Sequence, residues 1–504
     1  MESSARRLRY RAIGAACRKL EIEDLLFAHH ADDQSETALV RMVNGYFGKG
    51  LAGMSQSSRI PECEGMYGVS SSGTPMRTKD HIMGILVESG GVTVRRPLLD
   101  FRKDDLVATC VMAGVKWVED HTNKDQTLTM RNTVRHLLNN DKLPEALRHD
   151  RIYRMVRSIA GRKARHEEAA DKLFRECEIK PHLPSGTAEC IIPQVVRQRL
   201  IESGNDDQVK VNLLRKLLLL VAPTDHIQDS SLELASRDFL SKIPVHVNAG
   251  GAALVYDQKV KAGHRYLLSR NPPYASDTGT RVELHVQPTR KSPLSWSDWA
   301  LWDGRYWIRV GTYKDESFNV SVRRLTAEDI TTLRCSKDVD DRHLRQRLGH
   351  VKAQHRCTLP VMVQTKQGDS GEPQEKILAM PTIQWQRSAA WAAWTSHEVK
   401  EMAFDPEIGR PAPFVYEVHF KSIEDASMRP LRLPKLAERV YRSGEADIKS
   451  RAERAKWMEA AQTAAEEAGV TFHPRKAFPG KPIPKKANDS AIEDKDAEDK
   501  DVQT

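Results

Sequence analysis

Leu25-Leu26-Phe27-Ala28 is a short apolar run that opens onto His29-His30-Ala31-Asp32-Asp33-Gln34-Ser35-Glu36, and then onto a helix-forming stretch that ends at Asn44-Gly45. Four apolar residues bounded by polar ones read as a buried strand. A strand that feeds a helix through a polar turn is the repeating unit of a parallel α/β sheet. In open sheets of that kind ligands bind beyond the carboxyl ends of the strands. The order of residues therefore sets His30, Asp32, Asp33 and Glu36 where such a sheet does its chemistry. A second reading stays open, because Asp33 with Glu36 also suits an ordinary helix cap and its reciprocal acid.

The same α/β pattern runs over residues 1–144. Helices are predicted at 10–20, 36–43 and 103–113, the last stopped by Gly114. Strands are predicted at 82–87 and 92–95, on either side of a hairpin turn at Ser89-Gly90-Gly91. Residues 55–80, rich in Ser, Gly and Pro, read as an inserted loop. Residues 145–235 are expected to be helical with a break near 181–186, and 236–425 to be β-rich or α+β. Residues 426–504 are expected to hold one helix, at 445–468, and a charged, disordered tail.

The seven cysteines include no CxxC, which argues against a zinc site or a secreted disulfide framework, so no protein metal site is expected. No apolar run approaches the roughly 18–20 residues that cross a bilayer, so no membrane partner is expected. The longest, residues 213–222, carries Arg215 and Lys216. A net charge of +9 suits nucleic acid or another anionic surface. Arg148, Arg151, Arg154 and Arg157, followed by Arg162, Lys163 and Arg165, form a basic helical stretch that suits RNA phosphates; a merely solvated face is the equal alternative. The first twenty residues, rich in Arg and Ala, read either as an organellar transit peptide or, preferably, as the first helix of the fold.

Taken in order, the motifs resemble the tRNA(Ile)-lysidine synthetase family of PP-loop ATP pyrophosphatases. They are Ala5-Arg6-Arg7-Leu8-Arg9-Tyr10, His30-Ala31-Asp32-Asp33-Gln34-Ser35-Glu36-Thr37, Arg41, and Gly50-Leu51-Ala52-Gly53-Met54. Arg96-Pro97-Leu98-Leu99, Trp117 to Asp125, and Arg131-Asn132-Thr133-Val134-Arg135 follow. The resemblance covers about the first 140 residues. Two later segments, around Trp302-Asp303-Gly304-Arg305 and Arg356 to Val361, are similar more faintly. It implies a partial Rossmann-like sheet domain (adenine nucleotide alpha hydrolase-like) followed by helical and α+β regions. It also implies ATP and Mg2+, a tRNA(Ile) with a CAU anticodon, and L-lysine, which is joined to C2 of the first anticodon cytidine through an adenylated intermediate.

By resemblance, Asp33 and Glu36 face lysine or metal, His30 lies at the adenylation site, and Arg131 and Arg135 face phosphate or the leaving group; Asp32 is a further candidate catalytic residue. Arg6 and Arg9 are the remaining candidates for nucleotide contact. Eukaryotic relatives would be expected in organelles, so the compartment implied is the mitochondrion, and otherwise the cytoplasm. A thiolase of the same superfamily would use paired cysteines. The family's phosphate loop, Ser-Gly-Gly-x-Asp-Ser, is expected well ahead of His30, and no such motif stands between Met1 and His30. Ser89-Gly90-Gly91-Val92-Thr93 mimics it but follows His30 and leads to Pro97 rather than a helix. The expectation is a truncated or degenerate member that binds tRNA without making lysidine.

Overall fold

Tyr10 and Cys17 lie two turns apart on the first helix, α1 (Glu2–Lys19), and both are buried against Ile60, Cys63, Val69, Val92 and Val94. Arg11, between them, is left on the outer face, as an amphipathic helix requires. Gly14 lies on the same face, where a Cβ would stand 2.8 Å from Val69 Cγ1. Residues 55–77 are therefore packed on α1 rather than inserted as a free surface loop. Their Ser/Gly/Pro content signals the turns correctly, but three apolar residues among those turns cover the stripe of α1.

The computed structural model describes residues 2–77, 85–118, 129–140, 143–202, 207–239, 245–272, 281–288, 294–312, 317–367, 373–387, 414–423 and 429–430. Met1–Leu431 is one compact unit. The expected strand after α1 is β1 (Asp24–Leu26), shifted and shorter than read from sequence; Leu26 is 69% exposed, because β1 is the edge of its sheet. The chain then forms α2 (Ala31–Val43), β2 (Ser57–Arg59), β3 (Met76–Arg77), β4 (Leu86–Val87) and β5 (Thr93–Arg95). β1 runs parallel to β5, with Leu25 opposite Val94, and β2 runs antiparallel on the other side of β5. This is the parallel α/β kernel, and α3 (Lys103–Met112), α4 (Met130–Asn139) and α5 (His149–Glu176) complete it. α2, α4 and α5 share a small core of Ala38, Leu39, Val134, Ile152 and Val156.

β4 and β5 do not pair with each other, so Gly90-Gly91 is not a hairpin turn. β5 stays in the kernel, whereas β4 joins a different sheet, parallel to β19 (Val415–Phe420) near the other end of the chain. The two glycines have φ +85° and +88°. A Cβ on Gly91 would lie 2.5 Å from the Val69 carbonyl oxygen, and one on Gly90 would lie 2.7 Å from Thr74 Oγ1. They are there because the chain turns sharply between two sheets against the 69–74 backbone. Gly90→Ala is expected to lower the melting temperature and to leave nucleotide affinity unchanged in a binding titration. A loss of nucleotide binding without loss of stability would make Gly90 part of a phosphate loop after all.

The stretch expected to be helical contains a β-hairpin, β6 (Glu178–His182) and β7 (Thr187–Pro193), at the Pro/Gly break. α6 (Gln194–Glu202), the largely buried α7 (Asp207–Leu219) and α8 (Ser230–Asp238) follow. β8 (His246–Ala249), β9 (Ala252–Val260) and β10 (Gly263–Arg270) then complete an antiparallel sheet in the order β6-β7-β10-β9-β8.

Next come β11 (Val282–Val286), β12 (Ser295–Trp296), β13 (Ala300–Trp302), β14 (Tyr306–Thr312) and β15 (Phe318–Arg324), then α9 (Ala327–Cys335), α10 (Val339–Gly349), α11 (Ala353–Arg356) and β16 (Pro360–Gln367). The segment around Trp302 is a hairpin, as the sequence suggests, with Asp303 and Gly304 at its turn. Asp303 is buried there between two guanidiniums: Arg305 Nε donates to it at 2.7 Å and Arg270 Nη2 at 3.1 Å. The helix expected at 445–468 and the charged tail lie outside the described residues.

Candidate active site

α2 begins where β1 ends, and its first two turns are acidic: Asp33 is 8% exposed and Glu36 3%. Two buried carboxylates side by side are unstable unless cations meet them. α4 supplies those cations. Arg131 and Arg135 are one helical turn apart, so they share a face. Arg131 Nη2 donates to Asp33 Oδ1 at 2.7 Å, and its Nε to Glu36 Oε2 at 2.7 Å. Arg135 Nε donates to Glu36 Oε1 at 2.6 Å and its Nη2 to Oε2 at 3.0 Å. Thr129 caps α4 by accepting from the Asn132 amide, which fixes the helix that carries both arginines. The cap lies one turn earlier than the Asp33–Glu36 reading placed it: His30 is the N-cap and Asp33 is its reciprocal acid, Oδ2 accepting from the His30 amide at 2.9 Å, while Glu36 is held by the arginines.

Asp32 faces a different group. The His149 Nε2 atom lies 2.7 Å from its Oδ1, the Lys103 amide donates to its Oδ2 at 2.8 Å, and His30 Nδ1 stands 3.6 Å away. Burial works against ionising Asp32, but the His149 ring and the Lys103 amide outweigh it and hold its carboxyl at about 2. His149 is a site residue that sequence reasoning passed over. It opens α5 directly after Arg148, and nothing in the local pattern marks it. His29 is also close: burial pushes its imidazole down, Asp33 opposes that, and Arg96 and Arg131 add to it. His29 Nδ1 and Arg96 Nε are buried with no hydrogen-bond partner among the described residues.

The Gly50–Met54 turn holds α2 in place. Gln34 Nε2 donates to the Met54 carbonyl at 2.8 Å, and the Met54 amide donates back to Gln34 Oε1 at 2.6 Å. Arg41 Nη1 donates to the carbonyls of Gly50 and Gly53. Only glycine fits at 53, where φ is +69° and a Cβ would stand 2.4 Å from Gln34 Oε1.

The structure thus brings together His30, Asp32, Asp33, Glu36, Arg131 and Arg135. Arg6 and Arg9 lie elsewhere, on α1 over the Tyr10 ring, with Arg6 paired to Glu62. Arg148 stands at the cap of α5. On its exposed side Arg151 pairs with Glu145, Arg154 donates to the Asp150 carbonyl, and Arg157 approaches Asp100. Glu119, Asp120, Asn123 and Asp125 lie outside the described residues.

A family model described as a PP-loop domain matches residues 1–142. A probable tRNA(Ile)-lysidine synthase of Schizosaccharomyces pombe is 25% identical over 396 residues, covering 76% of this chain and 74% of its own. The tRNA(Ile)-lysidine synthase of Bradyrhizobium diazoefficiens is 28% identical over 274 residues, covering 51% of this chain and 65% of its own. That of Vibrio parahaemolyticus is 30% identical over 175 residues, covering 34% and 32%.

Proposed function

The chain belongs to the tRNA(Ile)-lysidine synthase family, and from that premise we propose that it joins L-lysine to C2 of the first anticodon cytidine of a tRNA(Ile) with a CAU anticodon. The observation that carries this is the set of direct ion pairs between the acids of α2 and the arginines of α4, at the carboxyl end of β1.

ATP, when bound, supplies the adenylyl group that makes the cytidine C2 oxygen a leaving group. Residues that fit its phosphates are present: His29 Nδ1 and Arg96 Nε lack partners among the described residues, and Arg131 uses only Nε and Nη2 on the acids. A magnesium ion fits less well. Both oxygens of Asp32, Asp33 and Glu36 are already engaged by arginine, histidine or backbone amides, and no step is assigned to a metal here.

In this reading Arg131 and Arg135 hold the phosphate that leaves as AMP, in the planar manner guanidiniums favour. Glu36 orients both arginines. Asp33 and Glu36 attract the lysine ammonium as phosphate draws the guanidiniums toward itself. His30 and the Asp32–His149 pair stand at the adenylation side, where His149 takes the proton released as the lysine amine attacks C2. The exposed arginines of α5 offer phosphate contacts to the RNA.

The test is ATP-dependent transfer of radiolabelled lysine to a CAU-anticodon transcript and to one with uridine at the first anticodon position. It is run with the 504-residue chain and with the chain preceded by a segment carrying the Ser-Gly-Gly-x-Asp-Ser loop. Label confined to the CAU transcript is expected. Equal labelling of both transcripts, or none from either form of the protein, overturns the reading.

A further inference from the structure

Far along the chain from α2, a cavity of about 430 Å³ opens between the β6–β7 hairpin with β10 and the loop joining α10 to α11. Its rim is basic: Lys180 and His182 come from the hairpin, and His350, Lys352 and His355 from the opposite side. Glu189 is the one acid among the described residues that line it. The floor is apolar, with Leu183, Leu268 and Val351 buried beneath the rim.

Behind this wall stands a further cation. Arg305 is fully buried, and a Cβ on Gly186, in the hairpin turn, would lie 2.5 Å from its Nη1. That Nη1 has no hydrogen-bond partner among the described residues. The one acid that Arg305 pairs with among the described residues, Asp303, is shared with Arg270, so a single buried carboxylate serves both guanidiniums. Lys180 pairs with Glu178 at 2.8 Å, whereas no ion pair of Lys352 is found among the described residues. His182 Nδ1 is engaged by Ser185 Oγ at 2.6 Å, which leaves its Nε2 for the cavity.

The basic groups are thus gathered closely, with Glu178 on Lys180 and Glu189 as the acids beside them. Burial pushes the His355 imidazole down, and Lys352, Arg305 and His182 push it further. Such an arrangement is costly empty and favourable with an anion in place. An apolar floor under a basic rim, at a volume within the range of small-ligand sites, matches one nucleotide: the phosphate on the rim and the base on the floor.

We infer that this cavity is a nucleotide-phosphate site, separate from the α2–α4 centre, which takes one nucleotide unit either of an RNA strand or of a free mononucleotide. It stands independently of the proposed ligase reaction.

The test reads the site directly. Carbethoxylation of His182 and His355 by diethyl pyrocarbonate is followed by peptide mass spectrometry on the full chain, with AMP, an octaribonucleotide or inorganic phosphate present. Both histidines are expected to be protected at least several-fold. Protection at lower oligonucleotide than AMP concentration identifies an RNA strand as the source, and the reverse order identifies a free nucleotide. Lys352→Glu, an exposed position, is expected to shift the protecting concentration upward by roughly tenfold or more, the effect of losing one charge-assisted contact.

Protection is also expected to strengthen from pH 8 to pH 6. An anion raises the depressed His182 and His355, so they bind it best once protonated; the other titratable and charged groups around them are Lys180, His350, Lys352, Glu189 and Arg305. No protection by any of the three probes, or protection that Lys352→Glu leaves unchanged, overturns the inference. Glu36→Gln, which tests the other centre, is expected to leave this protection intact.

Discussion

Glu36→Gln is expected to remove lysine transfer by roughly three orders of magnitude, in whichever form of the protein transfers lysine, because one carboxylate aims two guanidiniums. The amide keeps the volume of the side chain but neutralises neither arginine. Arg131 then keeps Asp33, while Arg135 loses the acid that holds both its Nε and its Nη2. Breaking a buried ion pair costs about 3–5 kcal/mol. Here Arg131 and Arg135 are 37% and 27% exposed, so water recovers part of that and about 2 kcal/mol is expected. The decisive comparison is with Glu36→Asp, which shortens the arm but keeps the charge. Partial activity in Glu36→Asp with none in Glu36→Gln is the expected pattern. Transfer by Glu36→Gln within tenfold of the natural chain would show that these pairs are only structural.

The second large effect is on stability alone. Asp303→Asn is expected to destabilise the fold by about 3–5 kcal/mol, because the two guanidiniums it serves have nowhere else to discharge. Arg305 is 0% exposed and Arg270 is 8% exposed in its side chain, so solvent cannot screen them. The site is also conformationally committed. Asp303 has φ +48°, a region asparagine tolerates, so the substitution tests charge rather than backbone strain. Calorimetry and urea unfolding give the measurement. Adding Arg305→Met to Asp303→Asn is expected to recover part of the loss by removing one unpaired charge. A single Asp303→Asn variant as stable as the natural chain would mean that the buried charges are compensated elsewhere.

What the sequence made legible was local. The run from Leu25 to Glu36 announced a strand, a turn and a helix, and the acids were placed correctly at its start. Arg131 and Arg135 were marked by family resemblance alone, since 95 residues separate Glu36 from Arg131 and no periodicity spans such a gap. His149 was missed because a histidine at the start of a helix carries no signal until the fold brings Asp32 beside it. Gly90-Gly91 was misread for a related reason. Two adjacent glycines between apolar runs fit a hairpin locally, and only the wider pairing of β4 shows that the runs part company there.

That parting sets a timetable for the protein's synthesis. Glu88, which follows β4, is fully buried and lies beside His419 Nδ1 at 2.5 Å, a partner 331 residues further along the chain. At about 5–20 residues per second, a ribosome delivers that partner roughly 15–70 s after it has made Glu88. During that wait β4 has no strand to lie against on that side, and a buried acid is left in water. The half of the molecule made first must therefore stay partly open until nearly all of the compact unit has emerged. Shortening the chain from its far end to before residue 415 would strand the half that holds the α2–α4 acids and arginines in that unfinished state, as prey for proteases and chaperones.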